Sequence, residues 1–417
     1  TSNSSMGELN RGRSIMIKKI IKNLLITFTV LLIGITAALA FTIPGGLKGT
    51  WVMLSAVTGL NNAEPPKQVQ DSGFTLPEGF KLELFADNLG YARFFLVTDN
   101  NDLIVSITDS GQIILLRDTN NDGIAETKTL LMDGLGAPQG LAFYDQWLYF
   151  SERQRISRIQ FDHDKGAIVG SAEVIIDNLP YGHPYDSHNT KAIGISPSGK
   201  LHLNIGSPCN ICEPEDKRYS TMLTANLDGS DLQIHASGLR NSIDFDWTPW
   251  SGDLYATDNG RDLLGDDFPP DELNQIKQGG FYGWPYFHGD NVPDPEYGNK
   301  RPDLAASAIK PSFKFRAHNA PLGIHFLQAS TLPQEFQKSA LVALHGSWNR
   351  STLDGYKVLS LHWDNKGNIQ GRDFMSGFLT PEGTIGRPVD INQDKQGRIY
   401  ISDDLAGRIY RVSYAGR

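Results

Sequence analysis

Arginine, histidine and amide side chains recur at one position of a pattern that the sequence repeats six times. The pattern is a short apolar strand, a turn with Gly, Asp or Asn, and a second apolar strand. The polar residues at the starts of the first strands are Arg93, Gln139, His188 with Asn189, Arg240 with Asn241, His318 with Asn319, and Arg387. Guanidinium groups bind carboxylates through paired hydrogen bonds. If the six strand starts lie together at one opening of the fold, these side chains predict a site for a flat ligand that carries several negative charges.

Each of these arginines has a structural alternative. It could pair with a nearby carboxylate such as Asp244, Asp246 or Asp390 and tie neighbouring repeats together. Because three arginines occupy the same position of the repeat, we favour the interpretation that they bind a ligand. His188 is the best candidate for a proton acceptor, since imidazole titrates closest to neutrality and nearby arginines should keep it neutral. The sequence contains neither G-x-S-x-G nor H-E-x-x-H, so no hydrolase motif competes.

Six copies in series, with no helical periods between them, predict an all-β fold, a six-bladed β-propeller. The anchor positions lie 46 to 80 residues apart and are Phe94, Gly140, Ala192, Ser242, Leu322 and Pro388. In such a blade the first strand lies nearest the central channel. Antiparallel order then brings the start of the first strand to the same face as the end of the second.

An acidic loop, TDNGRDLLGDDFPPDE at 257–272, follows the second strand of the fourth copy. Its Gly and Pro residues exclude a helix interior or a central strand. The loop should therefore lie on the same face as the arginines and histidines. A divalent cation such as Ca²⁺ would suit its oxygen atoms, including backbone carbonyls. A solvated loop is the alternative.

A second calcium candidate is the segment DTNNDGIAE. Asp118, Asn120 and Asp122 match the first half of a calcium-binding loop, but the twelfth position is Thr129 where a bidentate Glu is wanted. A hairpin turn explains Asn-Asp-Gly equally well.

The composition of the 417 residues, 40% hydrophobic and 20% charged, is that of a globular protein with a large core. A net charge of -9 gives no electrostatic footprint for nucleic acid, so we expect no nucleic-acid partner. Lys18, Lys19 and Lys22 precede an apolar run over 24–43 that contains Ala-Leu-Ala at 38–40. This segment predicts export, as a cleaved signal peptide or as a membrane anchor. We therefore expect a leader with signal or anchor over 1–43, a linker over 44–75, and the propeller over 76–417, in the periplasm or outside the cell, with membrane contact only through the N-terminal segment.

The chain has two cysteines, Cys209 and Cys212, in the segment SPCNICEPED. In an oxidising compartment this spacing predicts a local disulfide. Zinc would need two further ligands, and covalent haem would need His where Glu213 stands. An electron acceptor, if the protein needs one, must therefore be a separate molecule.

Five segments resemble the glucose/sorbosone dehydrogenase family, and the sorbosone dehydrogenase-like branch most. They are GLRN at 238–241, ATDNGRDLLGDDFPPDELNQI at 256–276, GGFYGWPY at 279–286, ALHGSWNRS at 343–351 and GRPVDI at 386–391. The resemblance implies an exported quinoprotein on a six-bladed propeller. It would use pyrroloquinoline quinone (PQQ) and Ca²⁺ to oxidise a sugar, a polyol or a related aldehyde.

The resemblance also implies roles for individual residues. His188 matches the general base, and Arg240 with Asn241 matches the pair that contacts the quinone. Gly260 and Arg261 occupy the positions whose backbone carbonyls hold calcium. The remaining cofactor-binding candidates are Gln139, Arg387 and, for a lysine of the family, Arg350.

The chain departs from the glucose-oxidising members at two of these positions. Ser187 stands where they carry the Asp that precedes the base, so Asp186 is the alternative support for His188, and Arg261 stands where they carry Pro. A calcium-dependent lactonase-type propeller hydrolase and a non-catalytic binding propeller remain rival hypotheses.

Overall fold

The computed structural model describes residues 19–31, 33–38, 43, 45–71, 73–181, 188–328 and 330–416. Helix α1 spans Lys19–Ala38 and helix α2 spans Gly46–Thr58. By length and composition α1 could cross a membrane, as the apolar run predicted. Leu39 and Ala40 of the predicted cleavage motif lie outside the described residues. Three short 3₁₀ helices are Val69–Asp71, Pro302–Leu304 and Gln334–Phe336.

The strands of the described residues form six sheets of four or five strands, which we call blades 1 to 6. Blade 1 contains β2 (Ala92–Val97), β3 (Leu103–Ile107), β4 (Gln112–Arg117) and β5 (Thr127–Met132). Blade 2 contains β6 (Leu141–Tyr144), β7 (Trp147–Ser151), β8 (Ile156–Asp162) and β9 (Ala167–Ile176). Blade 3 contains β10 (Ile193–Ile195), β11 (Leu201–Ile205), β12 (Thr221–Ala225), β13 (Gln233–Ser237) and the short parallel strand β17 (Gly280–Phe281).

Blade 4 contains β14 (Ser242–Trp247), β15 (Leu254–Asp258), β16 (Glu272–Ile276) and β20 (Phe313–Lys314). Blade 5 contains β21 (Pro321–Phe326), β22 (Ser339–Leu344), β23 (Lys357–Trp363) and β24 (Ile369–Met375). Blade 6 contains β27 (Pro388–Gln393), β28 (Ile399–Asp403), β29 (Arg408–Tyr414) and β1 (Phe80–Ala86). Two hairpins complete the strands, β18 (Phe287–His288) with β19 (Val292–Pro293) and β25 (Leu379–Thr380) with β26 (Gly383–Thr384).

The six blades close into a ring, which confirms the predicted all-β propeller. The first strands β2, β6, β10, β14, β21 and β27 contact one another in that order, and β27 returns to β2. Each predicted anchor lies in a first strand or, for Gly140 and Ala192, one residue before it. Blade 6 joins the two ends of the propeller, because β1 pairs with β29 from Phe80↔Tyr414 to Ala86↔Ile409.

Apolar side chains fill the spaces between blades and close the centre. The second strands β3, β11, β15, β22 and β28 are buried along their whole lengths. Phe94, Ile243, Leu322 and Val389, each from a different first strand, form one cluster. Full burial of such a side chain stabilises a fold by about 1.5–3 kcal/mol. The channel is therefore plugged by packed side chains, and a ligand can enter only from an end.

Buried aspartates connect neighbouring first strands through backbone groups. Asp390 Oδ2 accepts a hydrogen bond from Phe95 N of blade 1 at 2.9 Å, and Asp244 Oδ2 accepts one from Ile324 N of blade 5 at 2.9 Å. Asp246 Oδ2 accepts from Phe326 N at 2.8 Å. These aspartates thus bind backbone N–H groups of the next blade. They therefore do not form the pairs with arginine that were the structural alternative for the ring arginines.

Asp390→Asn is expected to flatten the pH dependence of stability. Burial, with a contribution from nearby Asp246, raises the pKa of Asp390 to about 7. A carboxyl whose pKa is raised in the folded state binds its proton more tightly there, so its contribution is complete at acid pH and is lost as the pH rises through about 7. Urea unfolding of the wild type should give a lower free energy at pH 8 than at pH 5, and a smaller difference in the variant. Asp364→Asn, in an exposed turn, is the control, and an unchanged difference in Asp390→Asn would contradict this role.

Candidate active site

A cavity of about 260 Å³ opens on the face where the first strands start. The residues that line it come from blades 3, 4 and 5 and are His188, Arg240, Asn241, Asn259, Gly260, Asp262, Asp271, His318, Ala320, Trp348 and Asn349. Trp348 is 37% exposed at the rim. The cavity thus combines two imidazoles, one guanidinium, three amides and two carboxylates.

His188 lies just before β10, in the left-handed backbone region with φ 78°. Its Nδ1 lies 3.0 Å from the carbonyl oxygen of Ser207 and 3.1 Å from Ser207 Oγ. A carbonyl can only accept, so Nδ1 carries the proton and Nε2 keeps its lone pair. Burial, assisted by the charge of Arg240, lowers the pKa of His188 to about 3. The imidazole is therefore neutral near pH 7 and can accept a proton through Nε2.

Ser207 was not predicted as the support of this histidine. Its Oγ donates a hydrogen bond to Cys209 O at 2.7 Å, and its backbone N donates to Arg240 O at 2.7 Å. Because Nδ1 of His188 is itself a donor, it cannot take a proton from Ser207. The two predicted supports, Asp186 and Ser187, lie outside the described residues. The only signal for Ser207 was its place at the end of a second strand.

The guanidinium of Arg240 is held in one orientation by three neighbours. Nε donates to Asn210 O at 3.1 Å, and Nη1 donates to Asn259 O at 3.1 Å. Nη2 donates to Asn210 Oδ1 at 2.9 Å and to Asp262 Oδ2 at 2.8 Å. A fixed, buried cation next to His188 can bind an anion without a further loss of side-chain entropy.

Asn210 is a site residue that the sequence did not identify. It lies between Cys209 and Cys212, which form the predicted disulfide. Besides accepting from Arg240, its Oδ1 accepts from Asp262 N at 2.8 Å, and its Nδ2 donates to Asp262 O at 3.1 Å. The disulfide loop therefore connects the arginine of the cavity to the acidic loop.

The carboxylates of the acidic loop mostly bind backbone N–H groups. Asp258 accepts from Arg240 N at 3.0 Å and from Asn241 N at 2.6 Å. Asp271 accepts from Gly260 N at 2.8 Å and from Ala320 N at 2.9 Å, and burial raises its pKa to about 6. Their effect is to position the backbone around the cavity.

Gly260 and Arg261 differ in how they meet the cavity. Gly260 lines it, whereas the side chain of Arg261 leaves it and pairs with Asp294 at 2.6 Å and with Glu296. Among the described residues, no hydrogen bond is donated to the carbonyl oxygen of either residue. Asn259 Oδ1 and Asn349 Oδ1 are buried and also have no partner there. These four oxygen atoms, two backbone carbonyls and two amide oxygens, could therefore bind a cation or accept from a hydrogen-bond donor.

Three predicted cofactor-binding residues do not line this cavity. Arg387 donates to His345 O at 3.0 Å and to Gly346 O at 2.8 Å. Gln139 is buried, and its Oε1 has no partner among the described residues. Arg350 donates to Ala317 O at 3.0 Å and to Asp266 O, so it fastens the acidic loop to blade 5. The structure therefore brings His188, Arg240, Asn241 and Gly260 together in one cavity, and these three residues lie outside its lining.

The ring residue Arg93 also forms a pair away from the cavity. Its Nη1 lies 2.7 Å from Asp404 Oδ2, and His345 Nε2 lies 2.9 Å from the other oxygen of the same carboxylate. Burial raises the pKa of Asp404, but His345, Arg93 and Arg387 outweigh it and lower that pKa to about 2. This arginine thus matches the structural alternative, with Asp404 as its partner.

The second calcium candidate has the geometry of a small acidic cluster. Ligand atoms of Asp118, Asp122 and Glu126 lie within 4.8 Å of one another. Asn120 instead accepts from Asp122 N through Oδ1 at 2.8 Å. Arg411 Nη1 lies 3.9 Å from Asp118 Oδ2 and supplies a competing positive charge. A calcium ion there stays a prediction.

Comparison with known proteins agrees with this fold. Residues 74–286 and 293–415 match the model of the family described as TrAA12-like. An uncharacterized protein of Borreliella burgdorferi is 33% identical over 358 residues, which cover 82% of this chain and 91% of that protein. A pyrroloquinoline quinone-dependent pyranose dehydrogenase of Coprinopsis cinerea is 29% identical over 127 residues, 26% of this chain and 17% of that enzyme.

Solved structures show the same architecture. The calcium structure of a Trichoderma reesei enzyme of carbohydrate-active family AA12 has a TM-score of 0.72 at 19% identity and covers 83% of this chain and 98% of its own. The holo PQQ domain of the Coprinopsis cinerea pyranose dehydrogenase gives 0.68 at 18% identity, with 84% and 98% covered. The PQQ-bound aldose sugar dehydrogenase of Streptomyces coelicolor gives 0.59 at 19% identity, with 81% and 99% covered.

Proposed function

The chain belongs to the TrAA12-like family, and on that premise we propose that it is a PQQ-dependent dehydrogenase that oxidises a sugar, a polyol or a related aldehyde. The observation that carries the proposal is one cavity in which a neutral His188 lies beside the fixed guanidinium of Arg240. A base and an anion-binding group in contact with the same space are what a hydride-transfer dehydrogenase with an anionic cofactor requires.

His188 is the proposed general base. Its Nδ1–H donates a hydrogen bond to Ser207 O, so Nε2 is the atom that takes the hydroxyl proton of the substrate. PQQ, when bound, would accept the hydride from the substrate carbon. The low pKa of the imidazole keeps Nε2 unprotonated before each turnover.

Arg240 and Asn241 are the proposed contacts to the polar edge of the quinone. Arg240 holds its charge in place through Asn210 and Asp262, and Asn241 lines the same cavity. Arg387 and Gln139 start the first strands of blades 6 and 2, so they are proposed to contact the cofactor from the other side of the mouth. The unpartnered Oε1 of Gln139 supports this role.

Calcium is proposed at the carbonyl oxygens of Gly260 and Arg261. Both carbonyls accept no hydrogen bond from the described residues, and the unpartnered Asn259 Oδ1 lies in the same cavity lining. Carbonyl and amide oxygens are ligands that Ca²⁺ prefers. An ion there would act as a Lewis acid toward the bound cofactor. The T. reesei AA12 structure with calcium supports the choice of ion.

The apolar helix α1 supports an exported enzyme, periplasmic or extracellular, whose electrons pass to a separate acceptor. The hydrolase alternative would use the acidic loop and His188 in the same cavity but would not need an arginine there, so the fixed guanidinium of Arg240 favours the dehydrogenase.

The test is reconstitution of the purified full chain with PQQ and CaCl₂, followed by dye reduction with D-glucose, cellobiose, L-sorbosone and sorbitol. We expect reduction with at least one of them, and none when PQQ is omitted or EDTA is present. A wild type that shows neither turnover nor a spectral change of added PQQ would exclude a PQQ enzyme. Turnover that persists in EDTA would exclude only the calcium.

A further inference from the structure

Helix α2 presents most of its large apolar residues to the outside, and it buries Met53 with the small residues Gly49 and Ser55. The outward side chains are between 50% and 67% exposed and are Leu47, Trp51, Leu54, Val57 and, two residues past the helix, Leu60. The buried positions of the helix are Gly49, Met53 and Ser55. A helix on the surface of a water-soluble domain has the opposite arrangement. The outward stripe therefore needs an apolar partner.

Both ends of α2 are attached to loops at the mouth of the cavity. Gly45 lies so close to Ser351 that an added Cβ would be 2.3 Å from Ser351 Cβ. At the other end, Ala63 N donates to Thr384 O and Thr384 N donates to Asn61 O, both at 2.8 Å. Ser351 belongs to the loop that carries Trp348, and Thr384 precedes the first strand of blade 6. A helix of 13 residues is about 20 Å long, so α2 lies along the rim of the mouth. Residues 44–75 are thus more than the predicted linker.

The distance to helix α1 is limited by the chain. Only residues 39–45 separate the end of α1 from the start of α2. Fully extended, such a connection spans at most about 28 Å. If α1 crosses a bilayer, α2 must therefore lie near the surface of that bilayer.

The charge around α2 also suits a membrane surface. Between α1 and Glu64, the part of the chain on the same side of the bilayer as α2, the sequence contains no acidic residue, and Lys48 is exposed on α2. Bilayers with anionic lipids attract such a segment, and Trp is favoured at the level of the headgroups.

We propose that α2 lies in the interface of a lipid bilayer, with the outward stripe among the upper acyl chains, and that it turns the mouth of the cavity toward the membrane. This interfacial arrangement satisfies an apolar helix face that has no protein partner among the described residues. It goes beyond the proposed function, because it holds whatever ligand the cavity binds.

The experiment uses the full chain in vesicles of phosphatidylcholine and phosphatidylglycerol, with and without brominated acyl chains. Bromine quenches tryptophan emission only at short range, and α1 contains no tryptophan. We expect brominated vesicles to quench the wild type and Trp51→Phe to remove most of the quenched emission. Trp147→Phe, in blade 2, should leave that emission in place.

A pair of charge substitutions tests the same surface without relying on Trp51. Leu54 and Leu130 are exposed to 50% and 51%, and Leu130 lies on the outer strand of blade 1. Leu54→Glu should reduce the quenching several-fold, whereas Leu130→Glu should not change it. Quenching that is the same in Trp51→Phe as in the wild type would overturn the proposal. Light scattering gives a second outcome that would overturn it. If the wild type is a dimer and Leu54→Glu is a monomer, the outward stripe binds a second copy of the chain and not a bilayer.

Discussion

His188→Asn is expected to lower kcat by about 10²- to 10⁴-fold, the range that a positioned general base contributes. The substitution suits the site because His188 has φ 78° and Asn tolerates the left-handed region better than most residues. Without Nε2, nothing in the described lining replaces a neutral imidazole beside Arg240, since His318 donates its own Nε2–H to Gly265 O at 2.8 Å. Steady-state dye reduction at saturating PQQ and calcium measures the effect.

The loss should fall on kcat, with PQQ affinity changed less than about threefold, because Arg240 and Asn241 are untouched. The matched control is His163→Asn, at the partly buried turn after β8 of blade 2 and outside the cavity lining, which should leave turnover unchanged. An NMR titration of the protein without added PQQ gives a second readout. Because burial lowers the pKa of His188 to about 3, its resonance should not move between pH 8 and 5. Turnover that survives in His188→Asn would refute the choice of base.

Arg240→Lys is expected to weaken PQQ binding by roughly 30-fold, which corresponds to the loss of about 2 kcal/mol from a charge-assisted hydrogen bond. Lysine keeps the positive charge but lacks the planar set of five N–H donors of the guanidinium group. It can satisfy Asn210 and Asp262 only in part, so the ammonium is not held toward the cavity as the guanidinium is. Titration of PQQ, followed by the recovery of activity at saturating calcium, measures the affinity.

Arg350→Lys is the matched control for this experiment. Arg350 is also a buried arginine at the same mouth, but it binds Ala317 O and the acidic loop and does not line the cavity. We expect Arg350→Lys to change PQQ affinity by less than about threefold. An equal loss in both variants would instead support the role that the family resemblance suggested for Arg350.

The fold was largely predictable because its determinants are local. A propeller blade is a short meander of strands, and its turn residues and alternating apolar positions recur within about twenty residues. Six such copies, anchored from Phe94 to Pro388, therefore sufficed for the ring. The pairing of Cys209 with Cys212 was equally local.

The hydrogen bonds that hold the site residues in place could not be predicted, because they join residues far apart in the sequence. His188 is held by Ser207, and Arg240 by Asn210, 19 and 30 residues away. Asn349 Nδ2 reaches Asp262 Oδ1 across 87 residues. The His188–Ser207 contact lies within blade 3, whereas the other two contacts join loops of different blades. All three depend on loop conformations that no periodic pattern encodes. Helix α2 shows the same limit, since its apolar positions did not reveal that it binds the rim of the mouth.

Local patterns in the sequence were enough for the number of blades and for the face on which the polar residues gather, because strand periodicity and turn chemistry act between near neighbours. The family followed instead from the resemblance of five segments to known dehydrogenases. Which ring residues meet in one cavity depended on the tertiary structure. Arg93 and Arg240 occupy the same place in their repeats and both pair with a carboxylate, Asp404 and Asp262, yet only Arg240 lines the cavity. That choice depends on which carboxylates and carbonyls the adjacent blades bring within hydrogen-bonding distance.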